Sequence, residues 1–538
     1  IPSYFSHMLK KHNNIITNLN TANITIDNFY LDCNSIIYDT IKDIPYLNNI
    51  DFERELILAV CNKIEYYISV INPTKIAYIA FDGVAPVAKL EQQRSRRYKS
   101  WLQKKITAEI NSEISELDYI NEWDTSNITP GTEFMRALTY NIKQYFNDLI
   151  TTNKYRVKNI IISCSDDNGE GEHKIYLNIR ANAIYHTNST SVVYGLDADL
   201  IMLALNHADI MKKIYLFRET PHFIKSLDNT LDPNSLYLLD IPVFGKFIMN
   251  DLQGTDTEKC INYNVLFDYI FICFFLGNDF LPHFPSLNIR TKGIDHLMYA
   301  YKNSLGGKNL YLTDGNKIVW KNLRKYIEFL AANEHDYLLD EYKLRDKMAK
   351  NIITKKPFHK NEEVIDDNLL LLPMKDRTVE LYIDPFEAGW RERYYSSLFD
   401  IKINDDRCKE ICINYLEGLE WTMNYYTSGC VDWRWTYNYD YAPLLVDLIK
   451  YVPYFDTYLL NAKSKNPVLP IVQLCYVLPK SSHYLLPQKV NALISKEHTD
   501  WYSTNCRFQW AFCKYFWESH MTMPDIDIGK LEQILVKI

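Results

Sequence analysis

The sequence predicts an α/β fold: a central, mostly parallel sheet flanked by helices, with a mainly helical second segment packed against it. Three observations carry that reading. Between Phe29 and about Leu205, short apolar runs ending in an acidic residue alternate with helical patterning, as expected for strands buried on both faces and joined by helices. Beyond about residue 300 the apolar spacing is mainly helical, and from Leu381 the text is dense in aromatics. Finally, 538 residues at 47% hydrophobic and 23% charged hold roughly two to four domains' worth of material, which excludes extensive disorder and a fibrous rod.

The first strand is read from Phe29-Tyr30-Leu31, which runs into Asp32. Ile76 to Phe81 runs into Asp82, Val157 to Ser163 into the loop holding Glu170 and Glu172, and Val192-Val193-Tyr194 into Asp197 and Asp199. Ligands of parallel sheets bind beyond the carboxyl ends of the strands, so these acids are expected along one edge. Val265 to Leu276 is too long for a buried strand and reads as a helix leading into Gly277-Asn278-Asp279-Phe280, which adds Asp279 to that edge. Residues 1–350 are expected to form the core that carries the site. Residues 351–380, polar and including Lys355-Lys356-Pro357 and Asp366-Asp367, read as a linker or insertion, and residues 381–538 as the second segment. No internal repeat is visible.

Composition narrows the function. The longest apolar stretch, Val265 to Leu276, is broken by Asp268 and falls short of the roughly 20 residues of a bilayer span. The start, Ile1-Pro2-Ser3-Tyr4-Phe5 onward to Lys10-Lys11, has no secretory pattern, so an intracellular, cytoplasmic protein without membrane association is expected. Eleven cysteines with no C-x-x-C pair read as reduced core thiols rather than zinc ligands or disulfides. A net charge of −8 argues against a basic coat but leaves room for a locally basic nucleic-acid site. Sparse Gly, abundant Tyr and a text rich in Ile, Asn and Lys point to an A/T-biased genome, such as that of a large DNA virus.

Seven carboxylates in one cleft repel unless cations neutralise them. Oxygen ligands without Cys or His suit Mg²⁺ or Mn²⁺ rather than Zn²⁺. Two such ions about 4 Å apart can activate a water and stabilise the leaving oxygen in phosphodiester hydrolysis. Any single Asp at a strand end is as readily a helix N-cap. The pairs Glu170-Gly171-Glu172 and Asp197-Ala198-Asp199, each within a short polar loop, favour metal.

A basic helix follows Asp82. Pro86 suits a first helical turn, and Lys89, Gln93, Arg96 and Arg97 stand at i, i+4, i+7 and i+8 on one face, with Lys104 extending the stripe. Such a stripe is commonly a solvated surface. Beside a metal site, however, a donor-only cluster suits a terminal phosphate, and it would read the end of a nucleic-acid strand rather than its bases.

Several long motifs then carry a resemblance. They are Ala80-Phe81-Asp82-Gly83-Val84-Ala85-Pro86 with Gln92-Gln93-Arg94-Ser95-Arg96-Arg97, Gly169-Glu170-Gly171-Glu172-His173-Lys174, Tyr194-Gly195-Leu196-Asp197-Ala198-Asp199-Leu200, and Gly277-Asn278-Asp279-Phe280-Leu281-Pro282. In the second segment they are Gly389-Trp390-Arg391-Glu392-Arg393-Tyr394-Tyr395, Glu417-Gly418-Leu419-Glu420-Trp421, and Trp433-Arg434-Trp435 leading to Tyr441-Ala442-Pro443. In this order they resemble the Xrn family of 5′→3′ exoribonucleases, over nearly the whole chain.

The resemblance implies a PIN/flap-nuclease-like core and Mg²⁺-dependent, processive removal of 5′-mononucleotides from single-stranded RNA bearing a 5′-monophosphate, in mRNA degradation. By the same resemblance, Asp32, Asp82, Glu170, Glu172, Asp197, Asp199 and Asp279 match the family's metal-binding acids, and Lys89, Gln93, Arg96 and Arg97 its 5′-phosphate pocket. Tyr38 stands where a His commonly stacks on the terminal base and keeps an aromatic face. Trp433 or Trp435 would supply the opposite face, and the sequence does not decide between them. His173 and Lys174 would orient the adjacent glutamates. Asn168 replaces the family's usual Pro, and family members carry a Met-Gly ahead of the equivalent of Pro2, so the numbering is expected to begin after two missing residues. A decapping enzyme is an implied partner, and a monomer is expected.

Two other readings compete. A flap-endonuclease-like, structure-specific DNA nuclease shares the sheet-edge acids, but Pro285-Ser286-Leu287 and Ile289-Arg290 stand where a helix-hairpin-helix would be expected. A non-catalytic RNA-binding scaffold would be expected to have lost ligands, whereas all seven are present.

Overall fold

The structure, a computed structural model, describes residues 4–46, 48–110, 123–151, 154–218, 231–232, 235–253, 262–354, 369–503 and 506–537. Seven strands form the central sheet: β1 (Ile16–Asn18), β2 (Asn28–Asp32), β3 (Ile76–Ala80), β4 (Asn159–Ser163), β5 (Thr190–Tyr194), β6 (Lys213–Arg218) and β7 (Tyr237–Asp240), in the order β1-β7-β6-β5-β2-β3-β4. The pairs β2–β3, β3–β4, β2–β5 and β5–β6 are parallel, whereas β7 runs antiparallel to both β6 and β1. The four strands expected from the sequence are present within a few residues; β1, β6 and β7 extend the sheet beyond that reading.

From β2 the chain steps to β3 and β4 on one side, then returns to β5 and β6 on the other. The crevice at that switch lies over the carboxyl end of β2, where Asp32 stands. Alternation along the strands explains why the sheet is covered twice. Tyr30, Tyr78 and Val193 pack into one hydrophobic core, while Phe29, Leu31, Ala77, Ile79, Val192 and Tyr194 pack into the other.

The expected helix after the sheet is observed at Tyr263–Cys273, continued by a 3₁₀ turn at Phe274–Leu276. Its core also takes Tyr415, Leu419, Trp421 and Tyr425 from the helix Asp405–Thr427, so the second segment shares the sheet's own hydrophobic core. A separate cluster joins Val84, Val87 and Leu90 to Val472, Cys475, Trp501 and Leu531, fastening the start of the basic helix (Val87–Ile110) to the C-terminal part of the chain.

Of the stretch 351–380, the residues Lys355-Lys356-Pro357 and Asp366-Asp367 lie outside the described residues. The helix Trp320–Thr354 enters the stretch and the short helices Leu372–Lys375 and Thr378–Ile383 close it. The ten described cysteines are free thiols, and Cys260 lies outside the described residues. No helix among the described residues is long and apolar enough to cross a membrane.

Candidate active site

The parallel strands bring six of the sequence-predicted acids to one edge by local geometry, and the turn after a 3₁₀ segment adds the seventh. Asp32 ends β2 and Asp82 lies two residues beyond β3. Glu170 is the N-cap of the helix Gly171–Ala181, and Glu172 lies in its first turn. Asp197 follows β5, with Asp199 opening the helix Asp199–Asn206. Asp279 sits in the turn after the 3₁₀ segment, where Gly277 adopts φ +85° and Asn278 Oδ1 accepts from the amides of Phe280 and Leu281, both at 2.9 Å.

Glycines let these loops close on one another. The amide of Gly83 donates to Gly169 O, and that of Gly169 to Val84 O, each at 2.8 Å. A Cβ on Gly83 would fall 1.7 Å from Asp167 O, and one on Gly171 would fall 2.6 Å from Asp32 Oδ1. Lys174 Nζ donates to Phe81 O at 2.8 Å and Cys164 O at 2.6 Å, tying together the strand ends that precede Asp82 and Glu170. Asp82 is held by Asn34 Nδ2 at 2.5 Å and by the amide of Gly171 at 2.7 Å, and Asp197 Oδ1 accepts from the amide of Asp199 at 3.0 Å.

The cluster is short of positive charge. Oδ1 of Asp32 and Oε2 of Glu172 are buried with no hydrogen-bond partner. Burial, then the neighbouring Asp82, Asp197 and Glu170, pushes the Asp32 carboxyl well above the usual range. Burial followed by Asp197 and Asp199 does the same to Glu172. Orphaned oxygens among mutually repelling carboxylates are what a hard divalent cation would satisfy. Among the described residues no three or more His, Cys, Asp or Glu side chains stand in an arrangement that could hold a metal ion as they are.

Part of the missing charge is protein-borne. Lys89 Nζ bridges Glu170, at 2.7 Å, and Asp279. Burial opposes its charge, but the carboxylates of Asp279 and Glu170 outweigh that and push its pKa up. Gln92 Nε2 adds a bond to Asp279 Oδ1 at 2.9 Å. Lys89 therefore touches the acids directly, while Arg96 is exposed farther along the helix. Gln93 keeps a buried Oε1 without a partner. Arg97 makes long contacts to Ser126 O and Ile128 O, both at 3.4 Å; burial draws its pKa down to about 10, with Tyr38 acting in the opposite direction. Tyr38, 37% exposed, thus shares a neighbourhood with Arg97. Lys104 is exposed near the far end of the helix.

The two tryptophans differ. Trp435 is buried and stacks on Trp421 with centroids 5.2 Å apart. Trp433 is half-buried, and its carbonyl accepts from the amide of Val87 at 3.0 Å, at the start of the basic helix.

The site also contains residues that the sequence did not single out. Tyr425, on the helix Asp405–Thr427, donates its hydroxyl to Glu170 Oε1 at 2.7 Å, and His173 lies against its ring, with centroids 3.7 Å apart. Tyr425 in turn stacks on Trp421 at 4.8 Å. His173 Nε2 is 3.8 Å from Glu172 Oε1. Nothing in helical periodicity distinguishes Tyr425 from a core tyrosine. Asn34 and Gln92 are similarly silent polar residues until the fold brings their partners near.

Comparison with known proteins identifies the family. Residues 1–220 match the family described as XRN 5′-3′ exonuclease N-terminus, and residues 256–382 and 378–538 match the Xrn1 helical domain. The chain belongs to the Xrn family. It is similar to 5′-3′ exoribonuclease 2 of Arabidopsis thaliana, at 28% identity over 95% of this chain and 62% of the relative. It is also similar to 5′-3′ exoribonuclease 1 of Saccharomyces cerevisiae, at 26% identity over 99% of this chain and 42% of the relative, and to the 5′-3′ exoribonuclease 2 homolog of Drosophila melanogaster, at 28% identity over 96% and 66%. The chain thus spans less than two thirds of the length of the first two relatives. A solved structure, the catalytic core of Rad2 in complex with DNA substrate, covers 68% of this chain and 84% of its own at 13% identity and a TM-score of 0.31, too low to carry an argument.

Proposed function

We propose that this chain is a divalent-cation-dependent, processive 5′→3′ exoribonuclease that hydrolyses single-stranded, 5′-monophosphorylated RNA to nucleoside 5′-monophosphates. One observation carries the proposal: seven carboxylates converge on the sheet's switch point with two buried oxygens unpartnered, beside a helix that presents Lys89, Gln93, Arg96 and Arg97. Membership of the Xrn family, with relatives named 5′-3′ exoribonucleases, supports the same reading.

Asp32, Asp82, Glu170, Glu172, Asp197, Asp199 and Asp279 would hold two Mg²⁺ ions, or Mn²⁺ in their place, which when bound supply a nucleophilic water at neutral pH and stabilise the leaving oxygen. The chain's own groups do the positioning. Arg96 and Arg97 bind the terminal phosphate through charge-assisted hydrogen bonds, and Gln93 donates its amide beside them. Lys89 and Gln92 fix Asp279, and Lys89 and Tyr425 fix Glu170, while Asp32 and Glu172 keep the unpartnered oxygens. Tyr38 supplies a stacking face for the first base, with Trp433 the better-exposed candidate for the second. Stacking tolerates any base, so the same grip can re-form after each nucleotide leaves. The proposed setting is cytoplasmic mRNA turnover by a monomer, downstream of decapping.

The test is a degradation assay on one RNA carrying a 5′-monophosphate, 5′-triphosphate or 5′-hydroxyl end, with Mg²⁺ or with EDTA. Rapid release of mononucleotides from the monophosphate end, only with Mg²⁺, is the expected result. Equal cleavage of all three ends, or internal cuts, would overturn it.

A further inference from the structure

A second cluster lies away from the acids. Tyr454, Phe455 and Tyr458 are 69%, 69% and 68% exposed within five consecutive residues, a concentration of apolar surface that signals a binding site rather than a core. Their backbone is fixed. Trp320 Nε1 donates to Thr457 O at 2.7 Å, and Glu420 Oε2 accepts from the amides of Leu459 and Leu460 at 2.9 and 2.7 Å. Cations accompany the rings: the Arg324 guanidinium lies 3.7 Å from the Tyr454 centroid and Lys317 Nζ lies 6.0 Å from that of Tyr458. Arg324 is itself anchored on the carbonyls of Ile449 and Val452 at 2.8 and 2.9 Å. Lys463 and Lys465 are exposed farther on, against the single acid Asp456 of the strap 453–466.

The strap leads to the proposed active site. The Lys463 amide donates to Asp432 Oδ2 at 2.8 Å, and Ser464 O accepts from the amide of Trp433 at 2.9 Å, whose own carbonyl accepts from Val87 at the head of the basic helix. Tyr458 stands six residues before Ser464, at most about 20 Å along an extended chain.

We propose that this strap is a second binding site for single-stranded RNA, which holds the strand trailing behind a 5′ end seated in the acid-lined crevice. Rigid, exposed aromatic faces interleaved with cations are the elements of a sequence-tolerant single-strand platform, and in a chain of net charge −8 a locally cationic aromatic strap suits phosphate-bearing strands over an acidic partner. The inference rests on the exoribonuclease reading for the identity of its ligand.

The experiment compares the full-length wild-type chain with the triple variant Tyr454→Ala, Phe455→Ala, Tyr458→Ala. With Mg²⁺, the KM for an unstructured thirty-nucleotide 5′-monophosphorylated RNA should rise about tenfold or more at unchanged kcat, while both constants for a 5′-phosphorylated dinucleotide stay put. In EDTA, the fluorescently labelled thirty-mer should bind the variant about tenfold more weakly. Lys463→Ala with Lys465→Ala should also reduce the slope of log affinity against log salt by about one. Equal KM and equal binding for wild type and triple variant would overturn the proposal and leave the patch to a protein partner; so would an equal loss on the long RNA and the dinucleotide. If wild type binds RNA through the strap but hydrolyses neither substrate, the strap stands and the exoribonuclease reading fails.

Discussion

Glu380, on the short helix Thr378–Ile383, and Glu172 at the sheet edge are both buried glutamates. Glu380 accepts from Arg345 Nη2 at 2.5 Å and Nε at 3.0 Å, from Arg377 Nε at 2.6 Å and from the amide of Phe512 at 2.7 Å. Glu172 leaves Oε2 without a donor, as Asp32 leaves Oδ1, and both lie among like charges. Glu380, which serves the fold, has all its donors supplied by the chain; at the site Asp82, Glu170 and Asp279 are also paired, but Asp32 and Glu172 each keep an oxygen that the chain does not satisfy. The basic helix shows the same division. Arg94 is buried, donating to Trp501 O at 3.2 Å and Pro524 O at 2.8 Å, and Lys99 donates to Trp517 O at 2.8 Å and Ser519 O at 2.7 Å, while Arg96 remains exposed.

The sharpest way to break this contrast is to remove acids from each set. Asp199→Asn and Glu172→Gln should each lower turnover by at least about a thousandfold, or about 4 kcal/mol of transition-state stabilisation. Glu172→Gln should nevertheless melt at or above the wild-type temperature in EDTA, because it relieves repulsion. Glu380→Ala should instead lower stability by about 3–5 kcal/mol, by stranding Arg345 and Arg377, seen as a fall in the urea midpoint. Near-normal turnover in the first pair, or a site acid whose loss unfolds the metal-free chain, would erase the distinction.

A smaller effect separates the cations. Arg96→Ala should remove a charge-assisted contact of order 1.5–3 kcal/mol and with it most of the preference for a 5′-monophosphate over a 5′-hydroxyl end, at little cost in melting temperature. Arg94→Ala should show the reverse, with stability lost and end preference kept. Competition between the two RNA ends in one reaction measures both.

A last test concerns a buried acid whose donors are only partly sufficient. Asp268 accepts from Tyr301 Oη at 2.6 Å, from the amides of Leu312 and Thr313 at 2.8 and 2.9 Å, and from Thr313 Oγ1 at 2.9 Å, yet burial pushes its carboxyl up to about 6 from an ordinary value of 3.8. The folded chain thus keeps a proton that the unfolded chain has lost. Its contribution is complete below about pH 4 and is lost as pH rises through about 6, to an extent of about 3 kcal/mol at most. Asp268→Asn should therefore melt with a flatter pH dependence between 4 and 7, whatever its absolute stability; an unchanged slope would show that this carboxyl titrates normally.

Much of the sheet was legible because parallel strands buried on both faces leave continuous apolar runs, and the turn after each run here carries an acid. The runs around Tyr30, Tyr78, Ile161 and Val193 all became strands. β1, β6 and β7 were not foreseen: β1 spans three residues and β7 four, and the apolar run 214–217 of β6, as long as the runs that were read as strands, was passed over. The basic stripe was legible by spacing, but charge alone could not separate Arg96 from Arg94, since only the carbonyls of Trp501 and Pro524, some 400 residues away, reveal which cation is spent on packing. Tyr425 was invisible for the same reason: its partner Glu170 is 255 residues distant, and locally it reads as core.

The central claim is that Asp32 and Glu172, each with a buried oxygen that no protein group satisfies, help to hold divalent cations at the sheet edge, and the most direct measurement is diffraction at the manganese edge from crystals of the full chain soaked in Mn²⁺. Two anomalous peaks about 4 Å apart, within coordination distance of carboxylates from this set including Asp32 and Glu172, is the expected result. A cleft without manganese at saturating concentration, or ions bound only to acids that already have protein donors, would contradict it.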